Sequence, residues 1–231
     1  MMLNTIQTFN HCTGEYVSIC EGDDYWIDPY KLQKQVDFLE ANPEYWLVHT
    51  DADIFYYKTG KLIESINKSR GLDYSKNDNP FYGILSGEYI VRTQTVLVRR
   101  ELVENVFKKY EFSNSLQGDL VLWLEISNHT KFFYMNESTA VYRIAAGSAS
   151  KQKDKIKQIE FQESSKKNRL EFAKRYNVPN YVINKVYKMY YSVLIDKAYF
   201  LKDTELYKQI KKEIKKLNVQ IDNTGGKALI R

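Results

Sequence analysis

Acidic residues follow directly on a short apolar run near the start of the chain. Residues 16–20 read Tyr-Val-Ser-Ile-Cys, and Glu21, Asp23 and Asp24 come immediately after them, with Gly22 allowing a sharp turn. Ligands of open α/β sheets bind beyond the carboxyl ends of the strands. Two carboxylates separated by one residue present oxygen atoms to a single hard cation, which can in turn hold phosphate groups. The pattern predicts a metal and phosphate site; alternatively, Asp23 only caps a turn and Glu21 is solvated.

The elements that would position these acids alternate between strand and helix. Apolar and β-branched runs predict strands over residues 15–20, 46–57, 93–98 and 132–144. Helices are predicted from Asp28-Pro29 to Asn42-Pro43, from Arg100 to about Lys109, and after Gly118-Asp119. In the first of these helices, Leu32, Val36 and Leu39 repeat at helical spacing and predict its buried face. The alternation favours a layered α/β sheet, with a long loop over residues 65–80.

The charge of the chain changes sign near Ser150. Residues 1–150 carry 14 Lys and Arg against 20 Asp and Glu, a balance of −6, whereas residues 151–231 carry 20 against 9, a balance of +11. Beyond Ser150 no strand pattern recurs, and apolar residues repeat at helical spacing, as in Leu206, Ile210 and Ile214. We predict an α/β domain over residues 1–150 and a basic α-helical region over residues 151–231.

The acidic segment also resembles a known enzyme family. Residues 14–29 read Gly-Glu-Tyr-Val-Ser-Ile-Cys-Glu-Gly-Asp-Asp-Tyr-Trp-Ile-Asp-Pro, and residues 31–39 read Lys-Leu-Gln-Lys-Gln-Val-Asp-Phe-Leu. Both stretches closely resemble the central segment of family 2 glycosyltransferases, which have the GT-A fold. The first acid of that family's Asp-x-Asp motif is here Glu21. The resemblance implies that Asp23 and Glu21 bind a divalent metal, Mn or Mg, and that Asp24 helps to hold the metal or the sugar nucleotide.

Later pieces of the chain resemble the same family in the same order. Residues 92–100, Arg-Thr-Gln-Thr-Val-Leu-Val-Arg-Arg, look like the strand beside the acceptor site, and residues 117–124 look like the segment that carries the general base. Val141-Tyr142-Arg143 with Gly147-Ser148 looks like the close of the catalytic domain, although Ala145 stands where these enzymes often have His. The resemblance implies Asp119 as the catalytic base. The acceptor-binding residues that it implies are Trp26, Gln94, Thr95, Trp123 and Arg143; as alternatives, Asp119 is a helix cap and the two tryptophans belong to the core.

The family's opening segment has no counterpart in this sequence. Family 2 enzymes normally begin with a strand leading into Pro-x-Tyr-Asn and two βα units that bind the nucleotide base, whereas the acidic motif here begins at Glu21. We therefore expect a partial, Rossmann-like GT-A domain that lacks its N-terminal βα units, with an α-helical C-terminal extension. The strand at 16–20 would then expose an apolar edge, which predicts lower stability and self-association or a complementary chain.

The expected function is inverting transfer of a sugar from a nucleotide-sugar donor to a saccharide or lipid-linked saccharide acceptor, in cell-envelope glycan synthesis. The alternative is a catalytically inactive remnant that serves as a binding or scaffold module. The sequence has no apolar run long enough to cross a bilayer, which predicts a cytoplasmic protein. The basic C-terminal helices could attach it peripherally to the inner face of the membrane or simply be solvated; no motif favours nucleic acid.

Overall fold

The protein consists of two compact units, Met1–Ser148 and Ala149–Arg231. A computed structural model describes residues 2–72, 74, 79–110, 117–145 and 154–220. Parts of the predicted 65–80 loop, the Gly147-Ser148 motif and most of the C-terminal tail from residue 221 lie outside the described residues. The change in charge near Ser150 falls close to the division between the units.

The first unit combines a mixed β-sheet with α-helices, which confirms the α/β class. In chain order its elements are α1 (Met2–His11), β1 (Tyr16–Val17), β2 (Tyr25–Trp26), α2 (Lys31–Ala41), β3 (Tyr45–Tyr56), β4 (Lys61–Ile63), α3 (Ile66–Ser69), α4 (Pro80–Ser86), a 3-10 turn (Thr93–Thr95), β5 (Leu97–Arg99), α5 (Arg100–Lys109), α6 (Gly118–His129) and β6 (Lys131–Ile144).

The sheet is built around the two long strands, β3 and β6. The strand order is β1-β5-β3-β6-β2, and β4 pairs with β3. β3 and β6 are parallel, from Tyr45 opposite Lys131 to Tyr56 opposite Ile144, and the other pairs are antiparallel. Because β2 pairs with Val141 and Ala140 of β6, the acidic segment just before β2 lies near the carboxyl end of β6. This is the edge where the sequence predicted a site.

Two predicted strands are shorter than expected. The strand predicted over 15–20 is paired only at Tyr16–Val17, and the side chain of Ser18 beyond it bonds the carbonyl oxygen of Val96 at 2.6 Å. The strand predicted over 93–98 begins as a 3-10 turn, in which the hydroxyl of Thr95 donates to the carbonyl oxygen of Arg92 at 2.7 Å, and it is paired as a strand only from Leu97. Within the described sheet β1 is an edge strand, and the self-association expected from it stays a prediction.

The predicted buried face of α2 is confirmed at Leu39, and Val36 packs partly buried against the same core, but the prediction is wrong at Leu32. The predicted cap at Asp28 is wrong: its Oδ1 accepts the backbone N–H of Tyr30 at 2.8 Å in the turn before the helix, but the N-cap residue is Tyr30 and the helix begins at Lys31. Its buried residues are Lys31, Gln35 and Leu39, whereas Leu32 is exposed. The reason is that a polar pair occupies the first two buried positions, which hydrophobic periodicity cannot detect. Leu39 packs against Val48 and Leu97 in the core beneath the helix.

Two aspartates in β3 accept hydrogen bonds from the backbone of the segment that follows β4. Asp51 and Asp53 are the two acidic residues of this strand, and both are buried within it. Asp51 lies at an irregularity of the β3–β6 pairing and accepts the backbone N–H groups of Asn67 and Lys68. Asp53 accepts the N–H of Ser65 at 2.9 Å. Their carboxylates therefore satisfy buried backbone donors that would otherwise lack partners.

The second unit is helical over its described residues, as predicted. Its elements are α7 (Lys155–Arg175), α8 (Asn180–Leu201) and α9 (Thr204–Leu217). Tyr191 and Ala198 of α8 pack with Ile210 of α9, and Lys202 turns the chain between the two helices with a left-handed backbone. Among the described residues, no helix combines enough length and apolar content to cross a membrane.

Candidate functional site

The acidic residues predicted from the sequence form a cluster in the loop between β1 and β2. One carboxylate oxygen from each of Glu21, Asp23 and Asp24 lies within 4.8 Å of the others. The loop is tight because the N–H of Asp24 donates to the carbonyl oxygen of Glu21 at 2.9 Å. Asp23 is exposed, whereas Asp24 is only 7% exposed. The cluster is thus open to solvent at Asp23 and buried at Asp24.

Arg143 at the end of β6 holds this acidic loop in place. Its backbone N–H donates to Oδ1 of Asp24 at 2.9 Å, its Nε donates to the carbonyl oxygen of Asp23, and its guanidinium lies 5.7 Å from the centre of the Tyr25 ring. These contacts make Arg143 a positioning residue for the loop. The acceptor contact predicted for Arg143 stays a prediction.

The negative charges in the cluster are only partly compensated. Burial, followed by repulsion from Asp119, Asp24 and Asp23 in that order, raises the pKa of Glu21 to about 7. Burial also raises the pKa of Asp24 to about 6, although the hydrogen bond from the Arg143 backbone opposes the rise. Carboxyl groups with raised pKa values in one cluster are typical of sites that bind a cation or move a proton.

Asp119 lies about a hundred residues further along the chain, and its charge acts on the cluster, although it is not one of the three residues whose carboxylate oxygens lie within 4.8 Å of one another. It stands in the first turn of α6, and its charge adds to burial in raising the pKa of Glu21. Because repulsion falls with distance, this effect indicates that Asp119 lies in the neighbourhood of the acidic loop. The two segments selected from the sequence, 21–24 and 117–124, are therefore electrostatically coupled, and the catalytic role of Asp119 stays a prediction.

Trp26 and Gln94 connect β2 to the 3-10 turn. The indole N–H of Trp26 donates to the carbonyl oxygen of Gln94 at 2.9 Å, while the indole itself remains 37% exposed. The side chain of Gln94 is 2% exposed, and its Nε2 is buried with no hydrogen-bond partner in the described part of the protein. A buried amide without a partner is costly, so it marks a place where a ligand group could be accepted.

The other two predicted acceptor residues are buried. Thr95 is completely buried, and the carbonyl oxygen of Thr95 accepts the side chain of Gln35 at 2.8 Å. Trp123 is 3% exposed, and its indole N–H points to the hydroxyl of Thr93 at 3.4 Å. These contacts favour a supporting role beneath the 3-10 turn, in line with the alternative that Trp123 is a core residue.

Lys31 is a residue near the site that sequence reasoning missed. It is 1% exposed, and its Nζ donates to Ser18 Oγ at 3.1 Å and to Gln35 Oε1 at 2.8 Å, and lies 4.7 Å from the centre of the Trp26 ring. Burial lowers the pKa of Lys31 to about 8. A lysine at the start of a helix normally indicates a solvated side chain, so the sequence contained no signal for this contact.

The cluster has the donor atoms that a hard divalent cation requires. All three groups are carboxylates, and Oδ2 of Asp24 is buried without a hydrogen-bond partner among the described residues. Mg²⁺, Mn²⁺ and Ca²⁺ prefer such oxygen ligands, and a cation would balance the repulsion that raises the pKa of Glu21. The residues present therefore fit a divalent metal.

The comparisons with known proteins do not assign a function. No family model matches the chain. An uncharacterized protein of Mycobacterium bovis and uncharacterized proteins of two Mycobacterium tuberculosis strains are each 35% identical to it over 88 residues, which is 38% of this chain. The matched segment covers 24% of each relative, so the chain spans about a quarter of the length of these curated relatives.

Proposed function

We propose that this chain is a GT-A-type glycosyltransferase domain of the family 2 kind, which transfers a sugar from a nucleotide sugar to a saccharide or lipid-linked saccharide acceptor. The observation that carries the proposal is the cluster of three carboxylates, Glu21, Asp23 and Asp24, within 4.8 Å of one another, with the charge of the distant Asp119 adding to the rise in the pKa of Glu21. These are the segments whose sequences resemble the metal motif and the base segment of that family. The reaction would take place on the cytoplasmic side of the membrane, in envelope glycan synthesis.

Glu21 and Asp23 would hold the divalent metal, Mn or Mg, and Asp24 would complete the site from its buried side. When bound, the metal would supply positive charge to the diphosphate leaving group. The unpartnered Oδ2 of Asp24 supports this role, because a buried carboxylate oxygen without a donor costs free energy unless a ligand or cation satisfies it. Arg143 would keep the loop in the geometry that the ligands need.

Asp119 would act as the general base. The acceptor hydroxyl forms a bond to the anomeric carbon as the bond from that carbon to the diphosphate oxygen breaks, and Asp119 takes the hydroxyl proton. A single displacement of this kind inverts the configuration at the anomeric carbon. Asp119 suits this role because its charge acts on Glu21 and it stands at the start of a helix whose remaining turns are largely buried.

Trp26 is the residue best placed to contact the acceptor. Its ring is partly exposed beside the acidic loop, and its N–H is already engaged by Gln94, which fixes the ring plane. The amide of Gln94, buried beneath this ring and without a hydrogen-bond partner among the described residues, would donate to a ligand group only if that group displaces part of the surface above it. Thr95 and Trp123 lie deeper and would act by holding the 3-10 turn in position.

Calorimetric titration with Mn²⁺ and a panel of nucleotide sugars tests the proposal. We expect heat of binding for the metal and for at least one nucleotide sugar, and a loss of at least about tenfold in metal affinity, ~1.4 kcal/mol, for Asp23→Asn. Asp37→Asn is the matched control, because Asp37 is an exposed carboxylate on α2 that bonds only Gln33 in its neighbourhood.

A second variant separates binding from transfer. Asp119→Asn should keep metal binding and reduce sugar transfer by about 10²-fold or more, the size expected for removal of a general base. If the wild-type protein gives no heat that disappears with Asp23→Asn, the noncatalytic binding or scaffold alternative replaces the transferase proposal.

A further inference from the structure

A second cleft lies between α5 and α6, at the far end of α6 from the acidic cluster. It encloses about 500 Å³. Asp119 is in the first turn of α6 and His129, which lines the cleft, is the last residue of that helix, so the two are about 15 Å apart along its axis. The cleft is therefore separate from the site proposed above.

One wall of the cleft is a stripe of polar side chains on α5. Glu101, Asn105 and Lys109 are spaced four residues apart, so they lie on one side of the helix, next to the apolar Leu102 and Val106. Glu101 and Asn105 are exposed, and within the described parts of the chain neither side chain has a hydrogen-bond or ion-pair partner. Their carboxylate and amide are open to a ligand.

The opposite wall is fixed by a buried carboxylate. Glu125 of α6 is 1% exposed and is bonded by Lys109, by the hydroxyl of Tyr110 at 2.6 Å and by Nε2 of His129 at 3.2 Å. These contacts hold polar groups from both helices in fixed positions before any ligand arrives. Such preorganisation lowers the entropy cost of binding.

An aromatic ring completes the cleft. Trp46 lines it from the start of β3 and is only partly buried, with Ile126 beside it on the apolar part of the surface. The electron-rich face of an indole attracts the polarised C–H groups of a sugar ring. An aromatic face next to an amide and a carboxylate can therefore meet both the apolar and the hydroxyl surfaces of a saccharide.

The charges of the cleft select among polar ligands. Glu101 and Glu125 bring two negative charges, and Lys109, which pairs with Glu125, brings one positive charge. A phosphate or other anion would be repelled by the open carboxylate of Glu101, and the cleft offers no unengaged ammonium to offset that repulsion. Among ligands without negative charge, one with many hydroxyl groups matches the lining, because the open amide of Asn105 and carboxylate of Glu101 can bond hydroxyls while Trp46 covers a C–H face.

From this arrangement we propose that the α5–α6 cleft binds a neutral oligosaccharide. The inference does not depend on transferase activity, because a saccharide can be held here whether or not the acidic cluster transfers a sugar. If both proposals hold, the cleft would retain a part of the glycan remote from the reacting hydroxyl and raise its local concentration at the domain.

Titration of the full chain with short gluco-, manno- and galacto-oligosaccharides tests the proposal, with heat and NMR chemical shifts as readouts. We expect saturable binding to at least one series, and binding about tenfold weaker for Asn105→Leu and for Glu101→Ala. Both side chains are exposed, so these substitutions should leave folding intact. Glu104→Ala is the matched control, since Glu104 lies on the same helix but pairs with Lys108 and does not line the cleft.

Three results would overturn the assignment: no saturable binding to any of the three series, equal affinity in Asn105→Leu, Glu101→Ala and wild type, or preference for inorganic phosphate over every neutral sugar. The titration is made without divalent metal and without nucleotide sugar. A failure of metal binding at the acidic loop therefore leaves the result for the cleft unchanged, and the two proposals can fail separately.

Discussion

Lys31 is a single residue whose burial costs the folded chain free energy. Its ammonium is buried among neutral partners, the hydroxyl of Ser18, the amide of Gln35 and the ring of Trp26. An amine charged at neutral pH without a carboxylate partner is destabilised by burial, which is why its pKa falls to about 8. The compensation is structural, since Ser18 and Gln35 in turn bond the carbonyl oxygens of Val96 and Thr95.

Lys31 makes a testable contribution to the pH dependence of stability. Its pKa is about 8 in the folded chain and about 10.4 in the unfolded chain, so between these values the unfolded chain binds more protons and the free energy of unfolding rises with pH. The rise from this residue can reach about 3 kcal/mol, roughly 1.4 kcal/mol for each pKa unit. In urea denaturation from pH 7 to 9.5, the free energy of unfolding should rise less with pH for Lys31→Met than for wild type.

Lys58→Met is the control for that experiment, because Lys58 is an exposed lysine in the turn after β3. It removes the same charge, and its free energy of unfolding should rise with pH as steeply as that of the wild type. A slope in Lys31→Met equal to that of wild type would show that Lys31 keeps its ordinary affinity for the proton.

At the residue level the sequence identified the acids but not what surrounds them. Glu21, Asp23 and Asp24 were found because a short acidic turn after a strand has a recognisable pattern, and Asp119 because its segment resembles a known one. Asn105 and Glu125 gave no signal, since polar residues on a helix usually face solvent. Only the packing of α5 beside α6 turns them into the walls of a cleft.

At the level of elements, prediction succeeded where a residue pattern persists over many positions. β3, β6 and α5 were predicted to within a residue or two, because each contains a long apolar or amphipathic run. The short pieces, β1 and the 3-10 turn, were overpredicted as strands, since hydroxyl groups of Ser18 and Thr95 bond main-chain carbonyls there. Such local bonds compete with strand pairing and are not encoded in hydrophobicity.

The orientation of α2 leads to a direct stability test. Leu39 is completely buried against Val48 and Leu97, whereas Leu32 is 39% exposed. Leu39→Ala should lower the free energy of unfolding by about 2–5 kcal/mol, the usual cost of a large-to-small change in a core. Leu32→Ala is the matched control and should change it by less than about 0.5 kcal/mol.

Urea denaturation of both variants at one pH gives the comparison. Equal losses for Leu32→Ala and Leu39→Ala would mean that the helix buries the apolar stripe expected from the sequence and not the face headed by Lys31.

At the scale of the whole molecule, the two units differ in charge. The second unit has the excess of basic residues, and at the end of α8 the side chains of Tyr199, Phe200 and Leu201 are each between 46% and 48% exposed. The lysines of α9 are exposed as well. Apolar side chains near basic residues are the combination that favours attachment to an anionic lipid surface.

Vesicle flotation measures this attachment. We expect the protein to float with vesicles of anionic phospholipid and to remain in solution with vesicles of phosphatidylcholine, and the bound fraction should fall as salt screens the charges. The double variant Lys211→Gln with Lys215→Gln should reduce binding several-fold, because each basic residue near the surface contributes about 1 kcal/mol.

The control changes two exposed lysines at the start of α7, Lys155→Gln with Lys157→Gln, and so removes the same charge from another helix. Equal loss in both double variants would mean that net charge alone draws the unit to lipid. No flotation of the wild-type protein with either vesicle would leave the α9 lysines with the solvated role that the sequence also allowed.

The contact between Arg143 and the acidic loop constrains the order in which the chain can become native. The guanidinium that bonds the Asp23 carbonyl comes 120 residues after it, and the N–H that bonds Asp24 comes 119 residues after it. During synthesis the loop leaves the ribosome long before Arg143 has been translated. Until β6 is complete, the mutually repelling carboxylates of Glu21, Asp23 and Asp24 therefore lack the contacts that hold the loop. The acidic loop, which holds the proposed metal ligands, is thus among the last segments of this unit that can reach the native conformation.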